Sequence, residues 1–259
     1  MGLAHPKYRA AAGDSSGSTA AEGHKECLVA FLGCVDYSRA LSMQFRICDA
    51  KKRGFQPDVL LLLEHPPTIT LGRNGKWHNL LVSDEQLRAR GVLRYEVDRG
   101  GDITFHGPGQ LVGYPILTLG AGERDVHSFM WNLEESLIRL LISNGIEGRR
   151  IDKWTGVWTD EGKIAAMGVH ISRWTTRHGF ALNVNTDLSC YDLIIPCGIE
   201  GKGVTSMEAL LSRRIDLKSV ADDYIPYFGQ VYGRRMTITN GSGLLQELGL
   251  DKFEDSPGA

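Results

Sequence analysis

The sequence predicts a single α+β domain built on a mixed β-sheet. Three observations lead there. Segments with strand and helix periodicity intermix without the strict alternation that an all-parallel βαβ sheet requires. No internal repeat and no interdomain linker interrupts the chain. Its 259 residues, 42% hydrophobic and 23% charged, suit one sizeable globular core.

The elements follow in order. Residues 1–26 are rich in Ala, Gly and Ser and lack an apolar period, which predicts a disordered leader. Its Lys and Arg are accompanied by Asp14 and Glu22, so a mitochondrial presequence is poorly supported. Residues 27–32 read as a strand. Asp36 stands where a helix cap belongs, and Tyr37, Ala40, Leu41, Gln44 and Cys48 fall on one helical face ending near Gly54. Residues 59–64 read as a buried strand stopped by His65-Pro66-Pro67. Extended structure resumes at 68–71, before the Gly72-Arg73-Asn74-Gly75 turn. Ser83 with Gln86 forms a capping box for a short helix ending at Gly91. Strands are expected at 92–97 and 111–119. The clearest helix is 125–144, where Val126, Phe129, Met130, Leu133, Leu137, Leu140 and Leu141 keep a 3.6-residue period and Asn144-Gly145 stops it.

Residues 156–158 and 163–171 form a hairpin around Thr159-Asp160-Glu161-Gly162. Arg177-His178-Gly179 then precedes a strand at 180–184, and helices are expected at 206–214 and from about 219. These boundaries give one domain at 27–240 and a tail at 241–259.

Composition excludes several function classes. A net charge of -2 provides no basic field for nucleic acid. The longest apolar run, 59–63, is too short to span a bilayer. The five cysteines (Cys27, Cys34, Cys48, Cys190 and Cys197) contain no Cys-x-x-Cys pair and follow no secretory segment. They read as reduced thiols in a cytoplasmic compartment, or in the mitochondrial matrix of a eukaryote. No histidine pair has metal-ligand spacing, so no metal is expected.

Chemistry concentrates at three places. Residues 99–110 hold four glycines and a proline between strand-like runs, with Arg99 and His106 framing a backbone able to approach a ligand closely. Cys197 lies in a Pro-Cys-Gly turn, and composition leaves it open as nucleophile or structural thiol. Lys163 begins a strand after the hairpin turn. By itself it reads as a solvated lysine, but beside a thiol it would favour the thiolate and carry protons. His106 and His178 are candidate proton carriers, and Asp102 is placed to orient a neighbour. No Gly-x-x-x-x-Gly-Lys-Ser/Thr and no helix-opening Gly-x-Gly-x-x-Gly is present, so the nucleotide signal is weak.

Taken together, Arg99-Gly100-Gly101, Thr104-Phe105-His106, Gly107-Pro108-Gly109-Gln110 and Tyr114 resemble the signature of the lipoyl(octanoyl) transferases. The resemblance extends through Glu64-His65-Pro66-Pro67, Leu71-Gly72-Arg73, Lys163-Ile164, Met167-Gly168, His178-Gly179, Ala181-Leu182-Asn183-Val184-Asn185 and Pro196-Cys197-Gly198. It implies the α+β catalytic fold shared with biotin and lipoate protein ligases. It also implies transfer of octanoyl from acyl carrier protein to a lysine of a lipoyl domain. The acceptors implied are lipoyl domains of 2-oxoacid dehydrogenases and the glycine cleavage H protein.

In this resemblance Cys197 carries the acyl thioester and Lys163 is its partner. Substrate contacts carry over to Arg99, Gly100, Gly101, Asp102, Ile103, Thr104, Phe105 and His106, to Ala166, Met167 and Gly168, and to Gly179, Phe180 and Ala181. Thioester exchange followed by amide formation implies no ATP and no cofactor, and a monomer is expected. Alternatives are an ATP-dependent lipoate or biotin ligase, a non-catalytic module that binds lipoyl domains, and a cysteine hydrolase. Arg149, Arg150, Lys153, Arg173 and Arg177 group loosely around the hairpin, where they could steer an acidic carrier or simply form a solvated face.

Overall fold

A computed structural model of the protein describes residues 25–195 and 203–248. Eight strands form the main sheet: β1 (Lys25–Cys34), β2 (Asp58–Glu64), β6 (Gln110–Ile116), β7 (Arg149–Ile151), β8 (Trp154–Trp158), β9 (Lys163–Ser172), β10 (Thr175–Asn183) and β11 (Arg234–Thr239). Their order is β11-β1-β2-β6-β10-β9-β8-β7. β1 is parallel to both neighbours and every other pairing is antiparallel, so the sheet is mixed. A second sheet, ordered β4-β3-β5, contains β3 (Thr68–Leu71), β4 (Leu93–Glu96) and β5 (Ile103–His106).

Both faces of the main sheet are covered, and β2 shows why its sequence is unbroken in apolar character. Leu60 and Leu62 enter one core cluster with α3 (Val126–Ser143) and α5 (Leu217–Tyr232). Val59, Leu61 and Leu63 alternate with them into a second cluster, with α1 (Tyr37–Lys52) and Leu244 of α6 (Gly241–Glu247). A strand buried on both faces has no polar face to show. A third cluster joins the small sheet to α2 (Asp84–Ala89) and to a two-turn 3₁₀ helix at Leu188–Leu193.

Several elements match the sequence closely. Ser83 and Gln86 make a complete reciprocal capping box on α2. Asp125 caps α3 through the backbone N–H groups of His127 and Ser128, and Asn144 ends it. Cys48 is a buried core residue. Elsewhere the structure corrects the reading. Asp36 holds the N-cap position of α1 without a side-chain capping bond. Val126 is exposed, because the first turn of α3 precedes the point where its stripe meets the sheet.

The stretch 99–110 is not one loop. Its middle, Ile103–His106, is strand β5, paired antiparallel with β3. Arg177, His178 and Gly179 lie inside β10 rather than before it. The helix expected at 206–214 is the shorter α4 (Met207–Leu211), ended by Ser212 in the left-handed region (φ 51°). β7, β11 and α6 are additions. α6 falls within residues 241–259, the stretch drawn as a tail, and Leu244 packs into the core.

β11 is locked by a buried charge cluster. Arg234 Nε donates to Asp58 Oδ2 at 2.8 Å, and Lys51 Nζ lies 2.9 Å from Asp58 Oδ1. Each charge has a partner, as burial requires.

Candidate active site

The two sheets meet around a cleft of about 460 Å³ including its open mouth, a size that suits a small ligand. Its floor is the β9–β10 pair. There Ala166 stands opposite Ala181, Met167 opposite Phe180, and Gly168 opposite Gly179. All six line the cleft. Small side chains at four of these positions leave a shallow, mainly apolar trough in front of the strands. The opposite wall is Arg99, Gly101, Asp102, Ile103, Thr104 and His106.

Two of the expected contact residues do not face the cleft. Gly100 is tied behind the wall, where its N–H donates to the Val169 carbonyl at 2.9 Å. Phe105 lies in the third core cluster, on the face of β5 that it shares with Ile103, and packs edge-on against Tyr191 with ring centroids 5.8 Å apart. Tyr37, Tyr114 and His178 complete the lining. Tyr37 falls on the apolar face of α1, where a tyrosine carries no signal that separates core from cleft. The signature itself contains Tyr114.

The polar side of the wall is held by a hydrogen-bond relay. Arg99, only 7% exposed, donates from Nη2 to Thr70 O and Oγ1, both at 2.8 Å, and from Nη1 to the Gly100 carbonyl. His106 Nδ1 donates to Gln110 Oε1 at 2.9 Å, which leaves Nε2 to accept from Thr70 Oγ1 at 3.3 Å. Gln110 Nε2 donates onward to Asn183 Oδ1, and Asn183 Nδ2 donates to the Thr205 carbonyl. Thr205 N–H in turn donates to the Lys163 carbonyl.

The histidines here are neutral. Burial drives His106 well below the usual imidazole range. Burial likewise lowers His65, which accepts from the Tyr114 hydroxyl at 2.7 Å, to about 4. His178 is lowered to about 4, because burial outweighs the Asp98 carboxylate that its Nε2 meets at 2.8 Å.

Lys163 lies at the other end of the trough. It lines a small recess that shares Thr104 and Ala166 with the cleft. It is 7% exposed, with Nζ 4.9 Å from the centroid of the Trp158 ring. The solvated-lysine reading is therefore wrong, since packing of β8 and α3 around the hairpin covers the side chain. Glu134 of α3, accepting from the Gly156 N–H at 2.9 Å, is a nearby buried carboxyl; burial raises it above the usual range despite Arg150. The backbone of Lys163 is tied to the chain after residue 202: its N–H donates to the Gly203 carbonyl at 2.9 Å, and it bridges Val204. Cys197 lies outside the described residues.

The expected basic patch is weaker than the sequence suggests. Arg149 pairs with Asp160, Arg150 with Glu134 and Glu135, and Arg177 with Asp98. Among the described residues no three His, Cys, Asp or Glu side chains gather as a metal site, and no helix is long and apolar enough to cross a membrane.

Comparison with known proteins agrees with this arrangement. Residues 36–229 match the lipoyl protein ligase A/B catalytic domain family. An octanoyltransferase of Caldicellulosiruptor saccharolyticus is 46% identical over 230 residues, covering 88% of this chain and 97% of the relative. One from Solibacter usitatus is 50% identical over 212 residues, covering 82% and 96%. Among solved structures, one from a structural analysis of a bipartite lipoate protein ligase and its E2 lipoyl domain from Thermoplasma acidophilum superposes with a TM-score of 0.68. It is 16% identical, with 88% of this chain and 93% of that one covered. A lipoate-protein ligase A bound with ATP gives 0.67 at 16% identity, covering 90% and 97%. At such identity these structures share the fold.

Proposed function

The chain belongs to the lipoyl protein ligase A/B catalytic domain family, with octanoyltransferases as its relatives, and from that premise we propose that it transfers octanoyl to a lysine of a lipoyl domain. Octanoyl-acyl carrier protein is the donor and a cysteine thioester is the intermediate. The observation that carries the reading is the continuity of an apolar trough with the Lys163 recess, through Thr104 and Ala166. An acyl chain in the trough has its carbonyl end at the lysine. The chain that follows Cys197 returns at Gly203 and Val204, bonded to Lys163, which supports pairing of the two.

The chemistry balances with these two side chains. Cys197 thiolate attacks the thioester carbonyl, the new C–S bond forms, and the carrier's C–S bond breaks. The departing thiolate takes a proton from the Lys163 ammonium, which becomes an amine. In the second step the acceptor lysine's neutral amine attacks acyl-Cys197 and gives its proton to Lys163. The amide forms, Cys197 leaves as thiolate, and both groups return to their starting states. The first step exchanges like for like and the second is downhill, so ATP has no role. A cytoplasmic location fits this substrate pair and the reduced cysteines.

Purified protein given octanoyl-acyl carrier protein and a lipoyl domain, without nucleotide, is expected to octanoylate the domain. Strict dependence on ATP with free octanoate as donor would instead favour a ligase.

A further inference from the structure

Asp98 immediately precedes the cleft wall and does not itself line the cleft. Its carboxylate faces the β9–β10 hairpin. Oδ1 accepts from His178 Nε2 at 2.8 Å and Oδ2 accepts from Arg177 Nη2. His170 Nδ1 lies 3.1 Å from the Asp98 main-chain carbonyl and 3.3 Å from Oδ2. Burial raises the Asp98 pKa, but the His178 hydrogen bond and the Arg177 charge outweigh it and hold the carboxyl below its usual value. One carboxylate thus gathers three side chains from two strands of the hairpin.

Two further contacts make this a joint between wall and floor. Gly100 N–H donates to Val169 O on β9. A Cβ on Gly168 would stand 2.6 Å from the Gly100 carbonyl oxygen, so the backbones touch there. His178 adopts φ +57° within a strand, a costly conformation for a residue with a Cβ. Its backbone N–H is held by Gln44 Oε1 at 2.7 Å and its ring by Asp98. The joint is distal to the chemistry: the Lys163 recess opens into the cleft at Ala166, and Val169 lies three residues beyond it on β9, roughly 10 Å at ~3.3 Å per residue and within reach of an extended eight-carbon chain.

We infer that Asp98 is a positioning residue that clamps the distal wall of the acyl cleft to the hairpin and thereby sets selection for acyl-chain length. The inference rests on the octanoyl-transfer reading. Loss of the clamp lets the Arg99–Gly101 wall move away from the floor. Only a chain long enough to reach that wall loses contact, and a short chain near Lys163 loses none.

The test compares octanoyl- and butanoyl-acyl carrier protein as donors for wild type, Asp98→Ala and Asp98→Asn. In Asp98→Ala the octanoyl KM is expected to rise about ten-fold with kcat within about two-fold, while butanoyl kinetics stay the same, the scale at which apolar pockets discriminate chain length. Asp98→Asn keeps an acceptor for His178 but turns an amide N–H₂ toward the Arg177 guanidinium and carries no charge, so its preference falls between the two. It retains the side-chain shape and serves should the alanine variant not fold. A wild-type protein that makes no octanoyl product overturns the reading underneath. An active wild type whose Asp98 variants lose both chain lengths by one common factor, or keep the octanoyl preference intact, overturns the Asp98 assignment alone.

Discussion

Lys163→Ala is expected to lower octanoyl transfer about 10³-fold, within the range that positioned proton transfer supplies. The backbone of Lys163 is held by Gly203 and Thr205 through main-chain hydrogen bonds, which the substitution leaves in place. The lost side chain is buried beside Trp158, so removing it leaves a small cavity as well. Lys163→Arg separates charge from proton transfer. A guanidinium keeps the positive charge that favours a thiolate, but it cannot become neutral and accept a proton from the incoming amine. The arginine variant is therefore expected to load octanoyl in single turnover more readily than the alanine variant and still to fail at amide formation. Full transfer activity in Lys163→Arg would contradict the proton role.

Gly179→Ala is the largest expected effect on stability. A Cβ at this position would stand 2.0 Å from the Gly113 carbonyl oxygen and 2.6 Å from Pro115 Cδ. Both belong to the neighbouring strand β6, at the centre of the main sheet, so backbone has to move. Overpacking with backbone displacement costs about 3 kcal/mol or more. For a domain of this size that lowers Tm by roughly 6–12 °C. A thermal melt of the variant within about 2 °C of wild type would show that the sheet accommodates a methyl group there.

Legibility in the sequence followed the strength of local pattern. α3 could be read almost to the residue, because an apolar stripe, an Asp125 cap and an Asn144-Gly145 stop agree with one another. β2 was plain because covering both faces leaves only apolar residues. β5 was hidden: four residues between glycine-rich flanks look like loop until β3 supplies their partners. The start of β10 was hidden by Gly179, which resembles a turn glycine but serves close strand approach. β11 is a short edge strand in which only Met236 and Ile238 alternate with threonines, and Arg234 gains its meaning in the fold, from Glu123 and from Asp58, 176 residues away.

The site divided in the same way. The signature residues identified both walls of the cleft, since glycine spacing and the Arg-His frame are local. Lys163 could not be distinguished from a solvated hairpin lysine without the resemblance, because its burial comes from β8 and α3. Tyr37 sits on an amphipathic helix face whose period is the same whether it meets core or cleft. Asp98 is a single aspartate before an arginine, and only the folded hairpin brings it to His170, Arg177 and His178. Core packing also removed a residue: Phe105 belongs to the signature yet lies in the third core cluster.

The central claim, acyl transfer through a thioester on Cys197, is tested most directly by intact-protein and peptide mass spectrometry. The protein is mixed with octanoyl-acyl carrier protein, without acceptor and without nucleotide. One octanoyl group is expected on the peptide containing Cys197, discharged on adding a lipoyl domain and absent in Cys197→Ala. A thioester adduct that persists on another cysteine in Cys197→Ala, and still discharges to the acceptor, would contradict the assignment.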